Sequence, residues 1–349
     1  MFMMRFDMRA PEFGGSTTDL YTAAIDMAEW AETRGCMAAV ISEHHTSSDG
    51  YIPSPLLLAS AMAARTDQLH ISIAAALLAF YDPIRLAEDM AVLDIISNGR
   101  LSYTLGLGYR PEEFDYLGVP YKERAGRFDE SLELMTRLWT EDTVTFHGKY
   151  WTLEDVHPHL FPVQQPHPPI WIGAHAIPGV RRAAKYGDAY ACPPETPKDE
   201  VARRYAIVRD GFEARGKTFG PQPLRRNCLV ADTREEAMVE YARVAQGRYL
   251  TYAAKGLDVM KDTDLENEFA KAVAGHAVIG TPDEVVAQLV DYVTALPVDP
   301  LLLRPQWPTM TADETIATLD RLGRDVVPAI TAITPRRDID EALLAPVAT

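Results

Sequence analysis

Eight short apolar segments alternate along this chain with longer stretches of helical periodicity, and that alternation restricts it to repeated strand–helix units built around a parallel sheet. The strand candidates are Met4 to Met8, Ala38 to Ser42, Leu69 to Leu78, Leu101 to Leu107, Ile170 to Gly173, Ala189 to Cys192, Leu224 to Val230 and Pro300 to Leu303. Between the first two, Leu20, Ala24, Met27, Ala28 and Ala31 recur at helical spacing, and Gly35 stands where that helix closes. Pro55 and Pro83 each stand at the start of a helix, and Asn98-Gly99 ends the second of these. Further helices are expected from about Arg127 to Trp139, through Arg181 to Lys185, from Lys198 to Arg215, from Arg234, from Pro282 to Ala295, and in a closing stretch to Val327.

Eight strands in this order favour a closed (β/α)8 TIM barrel over an open doubly wound sheet, so the expectation is one α/β barrel domain over residues 1–349. Two insertions interrupt it. Residues 141–168 are broken by Pro158, Pro162, Pro166 and Pro168, and the pattern weakens over 252–277 around Lys261-Asp262-Thr263-Asp264.

The formal net charge of −16 argues against nucleic-acid and acidic membrane partners, which call for a basic surface. The most apolar run, Ile71 to Phe80, is too short to span a bilayer, and the segment from Met1 shows no leader pattern, so a cytoplasmic protein is expected. Cys36, Cys192 and Cys228 are too few and too scattered for a disulfide framework or a metal site and read as small buried hydrophobes.

In a barrel the chemistry sits just after the strands. Glu43-His44-His45 follows the second strand, and an imidazole there can exchange a proton near neutral pH; a capping histidine with a structural Glu43 ion pair is the competing reading. Adjacent histidines lack HExxH geometry and no third ligand is evident, so no metal site is expected. Ala74-Ala75-Ala76 ends the third strand with side chains small enough for a ring to lie against, or simply small enough for a crowded barrel layer. Gly106-Leu107-Gly108-Tyr109-Arg110-Pro111 follows the fourth strand as a loop that permits close backbone approach, without the third glycine of a dinucleotide fingerprint or an immediate helix. Gly173-Ala174-His175-Ala176-Ile177-Pro178-Gly179 leads the fifth strand into a helix whose free N–H groups suit a phosphate, with Arg181 or Arg182 adding charge.

Taken in order, these segments resemble the luciferase-like flavin-dependent oxidoreductases, the family of the bacterial luciferase α subunit. Besides the motifs above, the resemblance runs through Pro83-Ile84-Arg85, Glu88-Asp89, Leu93-Asp94, Asn98-Gly99-Arg100, Glu113-Phe114, Pro168-Pro169-Ile170-Trp171-Ile172-Gly173, Ala183-Ala184, Gly187-Asp188 and Ile279-Gly280-Thr281-Pro282. It implies that His44 is catalytic and that Ala74 and Ala75 are joined by a non-proline cis peptide beneath a flavin ring. It further implies that Gly106, Gly108 and Tyr109, with Ala174, His175, Ala176 and Gly179, hold the phosphate end. The sequence departs from luciferase at Leu107, where luciferase has arginine, and at His175, Ala176 and Gly179, where it has hydroxyl or carboxylate side chains. Phosphate binding would then rest on backbone N–H groups, with His175, Arg110 or Arg181 substituting.

The implied activity is a two-component monooxygenase that takes reduced FMN from a separate flavin reductase and uses O2 to oxidise a small organic substrate. An F420-dependent hydride-transfer enzyme and a non-catalytic flavin-binding or partner subunit are the alternatives, and a homodimer is expected by the same resemblance. Arg304, Gln306 and Trp307 after the last strand, with Phe80 and Tyr81 after the third, are expected to line the pocket mouth, and Asp49, Gly50 and Tyr51 are further candidates.

Overall fold

The computed structural model describes residues 3–6, 8–10, 16–34, 36–254, 269–307 and 309–333. Its strands are β1 (Met3–Phe6), β2 (Ala38–Ile41), β3 (His70–Leu77), β4 (Leu101–Gly106), β5 (Val144–His147), β6 (Thr152–Val156), β7 (Ile170–Gly173), β8 (Ala189–Ala191), β9 (Gln222–Val230), β10 (Val278–Gly280) and β11 (Val298–Arg304). A parallel ladder runs without interruption through β1, β2, β3, β4, β7 and β8. The ladder passes to β9 through a parallel bridge between Cys192 and Leu224, β9 pairs with β11, and β11 lies against β1.

The eight expected strands are therefore the eight staves of a (β/α)8 barrel. Alternation along each strand sorts its residues between two cores. Met3, Ala38, Val40, Ala74, Trp171, Ala189, Ala191 and Leu302 meet in one buried cluster inside the ring, contributed by six strands. The intervening Met4, Ala39, Ile41, Ile71, Ile73, Tyr103 and Tyr190 face outward and pack beneath the helices. Among the described residues no helix is long and apolar enough to cross a membrane.

Local chemistry sets the helix ends as the sequence suggests. The Asp82 carboxylate accepts from the N–H groups of Ile84 and Arg85 ahead of the helix Pro83–Ser97, and Asn98 (φ 54°) and Gly99 (φ 78°) turn the chain out of it in the left-handed region. Arg100 then donates to the carbonyls of Ala63, Thr66, Leu69 and Ser97, tying two helix ends to the start of β3. The helix expected to begin near Arg127 starts one turn earlier, as Arg124–Thr140.

The first insertion contains a hairpin of β5 and β6, anchored where the Glu130 carboxylate accepts the N–H groups of Lys149, Tyr150 and Trp151. The second falls largely on 255–268, outside the described residues, as does Gly35; its flanks are the helices Arg234–Ala254 and Phe269–Val273. β10, which pairs with the outer end of β9, was not expected, because three residues are too few to show periodicity. The closing helix is Ala312–Arg321, continued by a π-helical turn and by Val327–Ile333.

All three cysteines are free and buried, and burial pushes the thiols of Cys36 and Cys228 up to about 12. At the base of the barrel, His70 bonds Ser102 Oγ at 2.9 Å, and burial, with the Arg100 charge adding, holds its imidazole down at about 3. An unfolded chain binds that proton near pH ~6.5. This contribution is therefore complete above about pH 6.5 and is lost at about 1.4 kcal/mol per pH unit as the pH falls toward the folded value. Urea melts across that window should show a shallower acid loss for His70→Gln than for the native chain; equal slopes would remove His70 as the cause.

Candidate active site

The C-terminal ends of β3, β4, β7 and β8 carry Ala74-Ala75, Gly106, Gly173 and Ala191, and above them opens a cavity of about 520 Å³. The ten residues to which the resemblance gives a catalytic or cofactor-holding role all line it: His44, Ala74, Ala75, Gly106, Gly108, Tyr109, Ala174, His175, Ala176 and Gly179. The Ala74–Ala75 peptide is cis, and the ladder to β4 shifts register there, leaving Ala75 without a partner between Ala74↔Thr104 and Ala76↔Leu105. A Cβ at Gly106 would stand 3.2 Å from that of Ala75, so this part of the floor admits no larger pair. Gly108 is required by its φ of 74° and by Phe114, whose ring lies 3.0 Å from where a Cβ would be.

His44 hangs from the end of β2 and is nearly buried. Its Nδ1 lies 2.8 Å from Glu113 Oε1, which also accepts the His45 backbone N–H at 3.1 Å. Burial opposes ionisation of Glu113, but the His44 hydrogen bond and charge, the His45 N–H and Arg110 together hold its carboxyl below the usual range. Burial, joined by the Arg110 and Arg5 charges, outweighs Glu113 and lowers the His44 imidazole below its ordinary value. At neutral pH the ring is thus uncharged. An ionised Glu113 takes the Nδ1 proton's hydrogen bond, which leaves the Nε2 lone pair available, with Tyr109 Oη at 3.4 Å.

The neighbouring pair does something different. His45 Nε2 lies 2.6 Å from Glu43 Oε1, while Glu43 Oε2 accepts the Leu77 N–H at 3.0 Å, which ties the loop to β3. Burial raises the Glu43 carboxyl, and the histidine is raised because Glu43 outweighs the burial that would lower it. The ion pair expected of Glu43 is thus made with His45, while His44 pairs with Glu113 and lines the cavity.

Glu113 entered the sequence reading only as part of the family pattern. It sits on a short helix, Pro111–Tyr116, that was not expected after the glycine loop, although Pro111 at its first position and Glu112-Glu113 behind it form a start signal. Tyr51 was named without a role. It stands edge-on to His44 at 4.9 Å and bonds Ser42 Oγ, and Arg5 donates to both hydroxyls.

Several expected positions are corrected. Arg110 turns to Ser47 and Glu113, and neither it nor Arg181 lines the cavity. Among the described residues, the cations that line the cavity are Arg5, Arg124, Arg182 and Arg225; Arg124 is stacked 3.7 Å over the Tyr121 ring, and Arg182, on the helix Ile177–Tyr186, is bonded to Asp129. Trp307 is fully buried in a second core against Tyr241, with Arg304 stacked on it, so neither lines the mouth, and Gln306 also stays outside the lining. Phe80 packs on Phe114 and His45, and Tyr81 bonds Glu43, so both support the loop from behind.

The family model for luciferase-like monooxygenases matches residues 4–298. The chain belongs to this family. Its similarity to the monooxygenase RslO1 of Streptomyces bottropensis, a solved structure, has a TM-score of 0.83 at 27% identity and covers 94% of this chain and 99% of that one. The oxygenase component of the flavin-dependent trigonelline monooxygenase of Acinetobacter baylyi is 28% identical over 63% of this chain. An F420-dependent glucose-6-phosphate dehydrogenase of Kineococcus radiotolerans is 34% identical over 56% of it. The chain spans 62% and 59% of the lengths of these two relatives. The family thus has flavin-dependent and F420-dependent members.

The Glu113–His44 hydrogen bond makes a checkable claim. In Glu113→Gln the imidazole loses the carboxylate that raises it, so the acid limb of the pH–rate profile should move to lower pH while the rate falls roughly a hundredfold. An unmoved limb would show that Glu113 does not act through His44.

Proposed function

We propose that this protein is the oxygenase of a two-component monooxygenase that receives reduced FMN from a separate reductase and uses O2 to oxidise a small organic substrate. The observation that carries the reading is the neutral His44 imidazole, fixed by Glu113 and lining a cavity whose floor is small and whose wall includes arginines. The residues fit such a cofactor. The volume lies within the range of small-molecule sites, Ala74, Ala75 and Gly106 leave a floor for a flat ring, and Arg124 and Arg182 line the same cavity as Ala176, Pro178 and Gly179 at a helix N-terminus suited to a phosphate.

Bound reduced FMN supplies the electrons and the ring at which oxygen is activated. The protein's part is placement and protons. Ala174 to Gly179 and the two arginines hold the anionic end, the alanine and glycine floor sets the ring's height, and His44 Nε2 gives or takes a proton at the reacting face. Tyr109 fixes the approach to Nε2 from the opposite side of the ring to Glu113. Burial around the site limits water near the reaction.

The F420 reading draws support from Leu107, which lines the cavity without adding a charge, and from the F420-dependent relative. Anaerobic titration with reduced FMN and with reduced F420, followed by admission of oxygen, separates the two. Tight FMN binding with oxygen uptake is expected; F420 binding alone without oxygen uptake would make the protein a hydride-transfer enzyme, and binding of neither would leave a non-catalytic subunit. His44→Ala should retain affinity and lose about ~10²–10⁴ in turnover, and a fully active variant would remove His44 from the chemistry. Arg124→Ala should weaken FMN roughly tenfold or more and leave riboflavin, which lacks the phosphate, little changed; equal losses would place Arg124 elsewhere.

A further inference from the structure

Tyr190 does not line the cavity, yet it holds a residue that does. No side chain caps the helix Ile177–Tyr186, so the turn Ala174–Gly179 offers an anion its backbone N–H groups, and their direction has to be set from outside the helix. Ala174 is gripped on two sides. A Cβ on Gly179 would stand 2.5 Å from that of Ala174, so the turn folds closely onto the start of the helix. The Ala174 carbonyl oxygen accepts the Tyr190 hydroxyl at 2.8 Å. Tyr190 is fully buried on β8, in the core beneath the helices, so a carbonyl bonded to it is turned away from the cavity. The same hydroxyl accepts from Arg204 Nη1 at 3.2 Å, and Arg204 Nε donates to Glu200 at 2.9 Å within the helix Lys198–Ala214. With Arg204 and the Cys192 thiol beside its lone pairs, the single phenolic hydrogen is committed to Ala174. Burial, above all, raises the phenol, so that hydrogen stays in place at neutral pH.

We propose that Tyr190, itself held by Arg204, is a positioning residue for the cofactor's phosphate: its hydroxyl keeps the Ala174 carbonyl oxygen out of the anion's seat. The inference rests on the cofactor reading above and adds to it two residues that touch no ligand. A carbonyl oxygen carries partial negative charge. Rotated toward the N–H groups of the turn, it would repel a phosphate and compete with it for those donors. Both FMN and F420 carry phosphate, so the role is the same for either.

Tyr190→Phe removes the hydroxyl and keeps the ring. Riboflavin shares the ring system of FMN and lacks its phosphate, so the ratio of the two Kd values reads the phosphate seat alone. In Tyr190→Phe the Kd for FMN should rise about tenfold while that for riboflavin stays within about twofold. Arg204→Met should give a smaller loss of the same kind, and the double variant should be no worse than Tyr190→Phe, because Arg204 acts through the hydroxyl; additive losses would remove Arg204 from the proposal. If the phenylalanine variant fails to fold, the ratio measured on Arg204→Met decides in its place. If the native chain binds F420 instead, F420 and its phosphate-free deazariboflavin core make the same comparison. Equal losses for the two ligands mark a purely structural residue and overturn the proposal, as do an unchanged FMN affinity and a native chain that binds riboflavin as tightly as FMN. A native chain that binds neither FMN nor F420 overturns the cofactor reading and this inference with it, whereas native FMN binding with an unmoved ratio overturns the inference alone.

Discussion

A ring of eight strands has an interior that only side chains can fill, and the site depends on where this chain stops filling it. Met3, Val40, Trp171 and Leu302 contribute bulk to the inner cluster. At the C-terminal ends of β3, β4, β7 and β8 the residues shrink to Ala74-Ala75, Gly106, Gly173 and Ala191, and the cavity lies directly above. The substitution of size for space is local. Trp171 and Gly173 are two residues apart on the same strand, one inside the packed cluster and the other lining the opening. A strand that must be buried on both faces would gain from larger apolar side chains at these points. Their absence is a loss of packing that a bound ring can recover.

The same economy of position governs the charges. Two buried carboxylates flank two adjacent histidines, and their surroundings drive them apart. Glu43 is fully enclosed, its carboxyl is raised by burial, and its partners are a backbone N–H, a tyrosine and His45, all of which hold the loop in place. Glu113 has Arg110 nearby and stays ionised, which fixes the tautomer of His44, while burial and the Arg110 and Arg5 charges outweigh it and keep the ring uncharged. Had the two environments been exchanged, the pocket histidine would be shifted toward its charged form and would accept a proton less readily.

Much of the fold was legible in the sequence because each strand is bounded by its own stop signal. Pro83 and Asn98-Gly99 frame a helix whose ends agree to within a residue or two, and all eight barrel strands occur where alternation placed them. Periodicity fails on short elements, which is why β10 and the helix Pro111–Tyr116 went unread. The site was legible as a set of loops but not as a set of contacts. The partnership of Glu113 with His44 joins residues 69 positions apart, and which arginine reaches the cavity depends on helix rotation. Arg181 and Arg182 are neighbours in the chain, yet only the second lines the cavity. Trp307 illustrates the opposite error. Its place after the last strand suggests a mouth residue, but its ring closes a second core between β9, β10 and the helix Arg234–Ala254.

Flavin and deazaflavin rings have nearly the same outline, so a floor of alanine and glycine cannot choose between them by shape. Discrimination must come from the few polar groups aimed at the ring and from the charges that meet the rest of the cofactor. A neutral His44 is compatible with either chemistry, since proton transfer beside an oxygen-reacting flavin and beside a hydride donor places the same demand on the imidazole. The cationic end is also shared, because both cofactors carry phosphate. What remains is the reach of the cavity beyond Arg124 and Arg182: F420 extends past its phosphate by a polyanionic tail, whereas FMN ends there. In this chain Arg182 is bonded to Asp129 and Arg124 is stacked on the Tyr121 ring, and both line the cavity. The length of the cofactor's anionic tail is therefore the property on which the FMN and F420 readings divide.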